Sequence, residues 1–350
     1  MKKIQFKSFV LLMLVSFLSS FSCAAQPTLE EPLSQNFSTS RQYICIGDSI
    51  TNGHGNTSFE AYPHQLALLL GSANSYKEFG DPNYIQRPLP EGWLIQNPAN
   101  STTVINHGLE SQKIQTMLAN IETQVGSRLS GASETTVILM GGINDIIQGR
   151  TAADIQADWV AYGAWCRARN VKLYVATITP LAYPTWDPIR VQADAWLLAN
   201  WHTFADRLVN FVGNEALADP TNLTYFHTDG GHIRAAGNLR MAQIVNAVIN
   251  GTYQSPTIKT TRVSDGNFKI AYRETLSVSG GDGTITWSHR SGNLPPGISF
   301  NAATHTFEGT PTTIGIFPNI VIRATDATGD FHERQYTIHS VCNPDFTRNC

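Results

Sequence analysis

Between residues 41 and 250, short apolar runs alternate with longer amphipathic stretches. Residues 43–46, 103–105, 136–140 and 173–178 are short apolar runs of the length expected for strands buried on both faces. Residues 223–226 form a weaker strand candidate. The segments near 60–70, 111–129, 152–168, 190–212 and 235–249 carry helical spacing. In the last of them Ala235, Ala236, Leu239, Met241, Ala242, Val245, Val248 and Ile249 supply the apolar face. Strands alternating with helices predict an α/β fold: a parallel sheet covered on both faces, with any active site at the carboxyl ends of the strands. Residues 71–102 break the rhythm as a long loop rich in Asn and Pro, carrying Tyr76, Phe79, Tyr84 and Trp93. Such a loop is either a surface excursion or a substrate wall, and Trp93 is its candidate contact.

After Gly251 the helical periodicity stops. Leu276 alternates with Val278, Ile285 with Trp287, and Ile320 with Ile322 and Ala324, between clusters of Gly, Pro, Asn and Asp. This is the pattern of a small all-β sandwich.

The amino terminus adds a third kind of segment. Lys2, Lys3 and Lys7 precede an apolar run over 9–18, and small residues lead to Cys23, Ala24 and Ala25. That layout predicts a secretory signal peptide over 1–25, cleaved after Ala25. The apolar run is about half the roughly 20 residues that span a bilayer. Lipidation at Cys23 is the alternative, which Ser20 and Phe21 fit poorly. The expected organisation is a signal peptide over 1–25, a polar leader over 26–40, an α/β domain over 41–252, a sandwich over 256–341 and a tail over 342–350. The expected location is secreted, periplasmic or cell-surface.

Removing residues 1–25 takes away three lysines and no acid, so the formal charge moves from −3 to −6. No basic block remains, which argues against nucleic acid or an anionic membrane surface as a partner. Cys45 and Cys166 fall in a strand and a helix and read as buried thiols. Cys342 and Cys350 flank a short polar tail and are a candidate disulfide in an oxidising compartment. No Cys or His cluster has zinc-site spacing, so neither metal nor cofactor is expected, and the chain is expected to be monomeric.

Four motifs sit at predicted strand ends. Gly47, Asp48, Ser49 and Ile50 follow the first strand, and a serine there can present its hydroxyl to a cleft; alone, the string is also an ordinary capped turn. His232 lies three residues after Asp229, across Gly230 and Gly231. Serine needs a base to take its proton, and the base needs a carboxylate to fix its tautomer. Gly142, Ile143, Asn144 and Asp145 follow the strand at 136–140, where an Asn amide can donate to a developing oxyanion. Asn106, His107, Gly108, Leu109, Glu110 and Ser111 follow the strand at 103–105 and can supply a backbone N–H to the same rim. Asp48 and His107 are candidate substrate contacts. His54 and His64, flanking the helix after the serine, are further candidates for the cleft.

Together and in this order the motifs resemble those of the SGNH (GDSL-like) hydrolases, whose blocks centre on Ser, Gly, Asn and His. The similarity covers about 41–250. It implies a flavodoxin-like three-layer fold and metal-free serine esterase, thioesterase or lipase activity. Ser49, Asp229 and His232 then form the catalytic triad, and Ser49 N–H, Asn144 and the N–H of Ser111 form the oxyanion hole. The family usually has glycine where this chain has Ser111, so Gly108 is the alternative donor. The wording around Leu294 to Phe300 and Glu308 to Thr312 resembles bacterial immunoglobulin-like modules of surface and secreted proteins, which do not carry catalysis. The expected substrate is an ester, either short O-acyl groups on polysaccharide or glycoconjugate, or the longer acyl chains of a lysophospholipase or thioesterase. A non-catalytic surface binding protein is the remaining alternative.

Overall fold

The computed structural model describes residues 40–57, 59–71, 76–78 and 102–342. The signal-peptide segment, most of the leader, Trp93 and Cys350 lie outside these residues.

The first part of the chain runs β1 (Arg41–Gly47), α1 (Ser49–Asn52), α2 (Tyr62–Leu69), β2 (Tyr76–Glu78), β3 (Thr102–Gly108), α3 (Ile114–Ala119), α4 (Ile121–Gln124) and β4 (Glu134–Leu139). It continues through α5 (Ile143–Ile147), α6 (Ala152–Ala168), β5 (Lys172–Ala176), α7 (Asp187–Asn200), β6 (Arg207–Val209), α8 (Glu215–Ala218) and α9 (Ala235–Asn250). The strands form one parallel sheet in the order β2-β3-β1-β4-β5-β6. Without β2 this is the flavodoxin-like order. Because both faces are covered, the central strands are apolar along their whole length: Ile44, Cys45, Ile46, Val137, Ile138 and Leu139 are all fully buried. Trp159, Tyr162 and Cys166 pack α6 onto the sheet, and Met241, Ile244 and Val245 pack α9.

Three expectations about elements fail. Residues 223–226 form a turn, in which only Phe226 makes an isolated bridge to Ile233. The sixth strand is instead Arg207–Val209, inside the segment expected to be helical to 212. The helix stops at Asn200, and a turn of 3₁₀ helix at Trp201–Thr203 follows before the chain re-enters the sheet beside β5. Its apolar residues, Leu208, Val209 and Phe211, continue an apolar pattern without Gly or Pro between, so periodicity alone misses the break. β2, paired with β3, lies in the segment expected to be a loop.

Beyond α9 the chain is all β: β7 (Thr257–Ile258), β8 (Gly266–Asn267), β9 (Tyr272–Thr275), β10 (Val278–Ser279), β11 (Thr286–Ser291), β12 (Ile298–Asn301), β13 (Thr306–Gly309), β14 (Gly315–Thr325) and β15 (Phe331–Val341). The sheets β12-β13-β9 and β11-β14-β15-β8 enclose a core of Ile258, Leu276, Trp287, Phe307, Ile320, Ile322, Tyr336 and Ile338. The pairing is antiparallel apart from β15 with β8, as in an immunoglobulin-like sandwich. The sandwich is joined to the first part by a polar seam. Asn214, fully buried, donates to Asp330 Oδ1 at 2.7 Å and to the Thr328 carbonyl at 3.1 Å. Glu215 N–H donates to the Gly329 carbonyl at 2.8 Å.

Cys45 and Cys166 are buried. Burial pushes the Cys166 thiol up to about 12, so it is unreactive at neutral pH. Cys342 is disulfide-bonded; its expected partner, Cys350, is outside the described residues. No helix among the described residues is long and apolar enough to cross a membrane.

Candidate active site

β1 ends at Gly47, Asp48 caps the short helix α1, and Ser49 is that helix's first residue. Ser49 therefore stands at the carboxyl end of the central strand, where the strand order reverses between β3 and β4. The residues facing it come from the turn before α9. There Phe226 bridges Ile233, His227 N–H donates to the His232 carbonyl at 2.9 Å, and Arg234 N–H donates to the Tyr225 carbonyl at 2.8 Å. The hydrogen bond from Asn56 Nδ2 to the Ile233 carbonyl, 2.7 Å, ties the turn to the segment after α1. Gly230 at the bend has φ +69°, and a Cβ there would stand 2.5 Å from Ala182 Cβ. Glycine is thus required on both conformational and steric grounds.

This turn brings Asp229, His232 and Ser49 into one hydrogen-bonded line. His232 Nδ1 is 2.8 Å from Asp229 Oδ2, and His232 Nε2 is 2.9 Å from Ser49 Oγ. The other carboxylate oxygen, Oδ1, accepts the N–H groups of Gly231 and His232, each at 3.0 Å. Partial burial opposes ionisation of Asp229, but these N–H groups and the His232 ring outweigh it and hold the carboxyl at about 2. The carboxylate is charged at any pH at which the protein works. It requires a proton on Nδ1, and this leaves the Nε2 lone pair for the serine hydroxyl.

Ser111 and Asn144 line the same cleft as Ser49, while Gly108 does not. The Gly108 N–H is taken by Asn106 Oδ1 at 3.0 Å, and a Cβ at Gly108 would meet Asn52 N at 2.1 Å. This glycine serves the close approach of β3 to α1, which corrects its place as an alternative donor. Ser111 has φ +58°, the left-handed conformation that favours glycine, and its N–H has no acceptor among the described residues. Asn144 Nδ2 donates to the Gln112 carbonyl at 3.2 Å, which leaves its second N–H available to the cleft. Asp145 is buried behind it, accepting from Ile114 N–H at 2.8 Å and pairing with Arg150. It braces the turn after β4 against the start of α3. A left-handed non-glycine residue costs about 1–2 kcal/mol, partly offset in glycine by the freer unfolded chain. Ser111→Gly is therefore expected to raise stability by roughly 0.5–1 kcal/mol in urea denaturation; a loss would contradict the strain.

Other candidates stand elsewhere. Asp48 is buried and accepts from Ile50 N–H at 3.0 Å as the cap of α1, and burial raises its carboxyl to about 7. It does not line the cleft. His107 is buried within β3, register partner of Ile46, where burial lowers it to about 4; it too is outside the cleft. Neither is placed to touch substrate. His64 is buried on α2 with Nδ1 2.9 Å from the Phe59 carbonyl. His54 does line the cleft, with its ring stacked on that of His232 at 4.1 Å. Glu110, from the motif after β3, and four residues the sequence did not single out, Ile147, Leu181, Tyr183 and Trp186, complete the walls. Tyr183 Oη donates to the Asp229 carbonyl at 2.9 Å, and its ring lies 5.2 Å from that of Trp186. The cleft has a volume of about 430 Å³. A second cavity, of about 340 Å³, lies at the amino ends of the strands by Glu134, Lys172 and Asp206, away from all of these groups.

Two family models match the chain. An Ig-domain family model, described as "Putative Ig domain", matches residues 247–341. No curated protein matches the chain. Among solved structures, a member of the lipolytic protein G-D-S-L family from Veillonella parvula is 19% identical, covering 60% of this chain and 98% of its own with a TM-score of 0.45. The psychrotrophic esterase EstA from Pseudoalteromonas sp. is 15% identical, with 60% and 97% coverage and a TM-score of 0.43. The model of the GDSL-like lipase/acylhydrolase family matches residues 45–240, from the strand that carries Ser49 into α9 behind His232. That match spans more than half of the chain, so the protein belongs to the GDSL-like lipase/acylhydrolase family and is a serine hydrolase of carboxylic esters.

Proposed function

We propose that the protein is a secreted serine esterase that removes short O-acyl groups from polysaccharide or glycoconjugate. Asp229 holds the proton of His232 on Nδ1. Nε2 takes the Ser49 proton as Oγ attacks the ester carbonyl, 2.9 Å being already hydrogen-bonding distance. The oxyanion is met by the N–H groups of Ser49 and Ser111 and by Asn144 Nδ2. His232 then gives its proton to the departing alcohol, and water activated by the same Nε2 releases the acid and restores Ser49 Oγ–H.

The observation that carries the substrate class is the rim of the cleft. Tyr183, 43% exposed, sits beside Trp186 and is hydrogen-bonded to Asp229, on the triad from which the alcohol leaves. An exposed aromatic face there suits the apolar face of a sugar ring. Among the described residues, the aliphatic part of the cleft consists of Ile50, Ile143, Ile147 and Leu181, a small patch for an acyl group. The signal-peptide pattern over 1–25 and the sandwich after α9 support export, with the sandwich as a spacer or adhesion unit.

A series of nitrophenyl esters of increasing acyl length tests the reading. The kcat/KM is expected to peak at acetyl to butyryl and to fall at least tenfold by octanoyl, with acid released from an O-acetylated oligosaccharide. A maximum at long chains would favour a lysophospholipase or thioesterase. No turnover of any ester would leave a binding protein. The pH dependence tests the base. Because Asp229 stays ionised down to about 2, only uptake of a proton by His232 removes the working form, so kcat/KM is expected to fall on the acid side. A rate flat from about pH 4 to 9 would exclude a histidine base.

A further inference from the structure

The imidazole of His232 is held from a second side. His54, in the turn after α1, stacks on it with ring centroids 4.1 Å apart and planes 23° from parallel. His54 Nδ1 is 3.2 Å from Glu110 Oε2, and Glu110 Oε1 accepts from Asn52 Nδ2 at 2.9 Å. Glu110 is 12% exposed at its side chain, so its carboxylate is directed by these partners rather than by water. The result is two histidine–carboxylate pairs face to face: His232 with Asp229, and His54 with Glu110.

We propose that His54, oriented by Glu110, is a positioning residue for His232: its ring fixes the plane in which Nε2 meets Ser49 Oγ. The proposal rests on the reading of His232 as the general base. Two physical points support it. Asp229 holds His232 only along one edge, at Nδ1 and through the backbone, so rotation about its side-chain axis is not fixed by that bond alone. A parallel ring at stacking distance restricts the rotation. Glu110 in turn fixes His54, because a carboxylate at Nδ1 demands a proton there and sets both tautomer and orientation.

The stack also makes the two rings sensitive to each other's charge. Among the described residues, the titratable groups near His54 include Glu110 from the segment after β3, and His232 and His227 from the turn before α9, with Asp229 bonded to His232. Burial and Arg234 push His227 below the ordinary histidine range. A positive charge on one of the stacked rings opposes a second on the other.

The test uses the full-length protein and the variants His54→Ala, His54→Phe and Glu110→Gln, each checked for folding by circular dichroism. His54→Ala removes the stack and is expected to lower kcat about tenfold, with KM changed less than twofold. His54→Phe restores a flat ring without charge and is expected to recover kcat to within about threefold of the parent. Its acid limb in kcat/KM should lie at higher pH, since the stacked neighbour can then carry no charge. Glu110→Gln is expected to lie between the alanine and the parent. Equal losses in His54→Ala and His54→Phe, or no loss in either, would overturn the proposal. So would an acid limb that does not move in His54→Phe. The ¹⁵N resonances of the His232 ring give a readout independent of turnover. Their titration should move to higher pH in His54→Phe, and an unmoved titration overturns the proposal. If the parent protein hydrolyses no ester, the esterase reading fails, while the ring titration still decides the coupling.

Discussion

Ser49→Ala is expected to lower kcat by on the order of 10⁴- to 10⁶-fold and to abolish labelling by a fluorophosphonate. The serine is the only group among those lining the cleft whose hydroxyl is bonded to Nε2 of a carboxylate-held histidine. Without Oγ the acyl group has nowhere to reside, and only direct attack by water remains. The substitution disturbs little else. Asp48 still caps α1, and the Nε2 left behind belongs to a ring that is 28% exposed and reachable by water. The protein should therefore fold as before. Intact-mass analysis is the measurement: one adduct on the parent chain and none on the variant. An adduct that persists on Ser49→Ala would place the nucleophile elsewhere.

Much of this site was legible because its parts are local in sequence. Ser49 follows an unmistakable buried strand, and the Asp229–His232 spacing is bridged by a Gly-Gly turn whose φ of +69° at Gly230 the composition already suggests. What was not legible depends on distance. Glu110 and Asn52 meet across 58 residues, and Tyr183 and Asp229 across 46; no spacing rule links them. His54 was a candidate, but nothing local says that its ring lies on His232. Asp48 and His107 mislead for the opposite reason. Each is next to a motif, yet the strand geometry turns both into the protein, where one caps a helix and the other is desolvated within β3. In the fold, apolar runs bounded by Gly or polar turns were placed correctly. Residues 207–209 were not, since a helix that ends without Gly or Pro leaves no mark in its pattern. Ser111 shows sequence and structure agreeing in detail: at the position where glycine is usual in the family, the backbone has kept a glycine conformation, φ +58°, with a serine in it.

The role of Asp229 leads to an ordering of variants that a merely structural carboxylate would not produce. Asp229→Asn is expected to be less active than Asp229→Ala, although asparagine is the closer shape. The reason lies in the two N–H groups, of Gly231 and His232, that point at Oδ1. In the asparagine variant they require an acceptor, so the amide oxygen is held on that side and the NH₂ group is turned towards His232 Nδ1. Two donors cannot face each other, and the ring responds by moving its proton to Nε2. In that tautomer Nε2 donates to Ser49 Oγ instead of accepting from it, and the base is blocked. A loss in kcat of about 10³- to 10⁴-fold follows, with KM nearly unchanged. Alanine imposes no tautomer. Asp229 is 46% exposed at its side chain, so water fills the space and can accept from Nδ1; the expected loss is about 10²- to 10³-fold. The kcat of both variants on one short nitrophenyl ester, measured well above the acid limb, decides the matter. An asparagine variant as active as the alanine variant, or more so, would mean that Asp229 does not set the tautomer of His232.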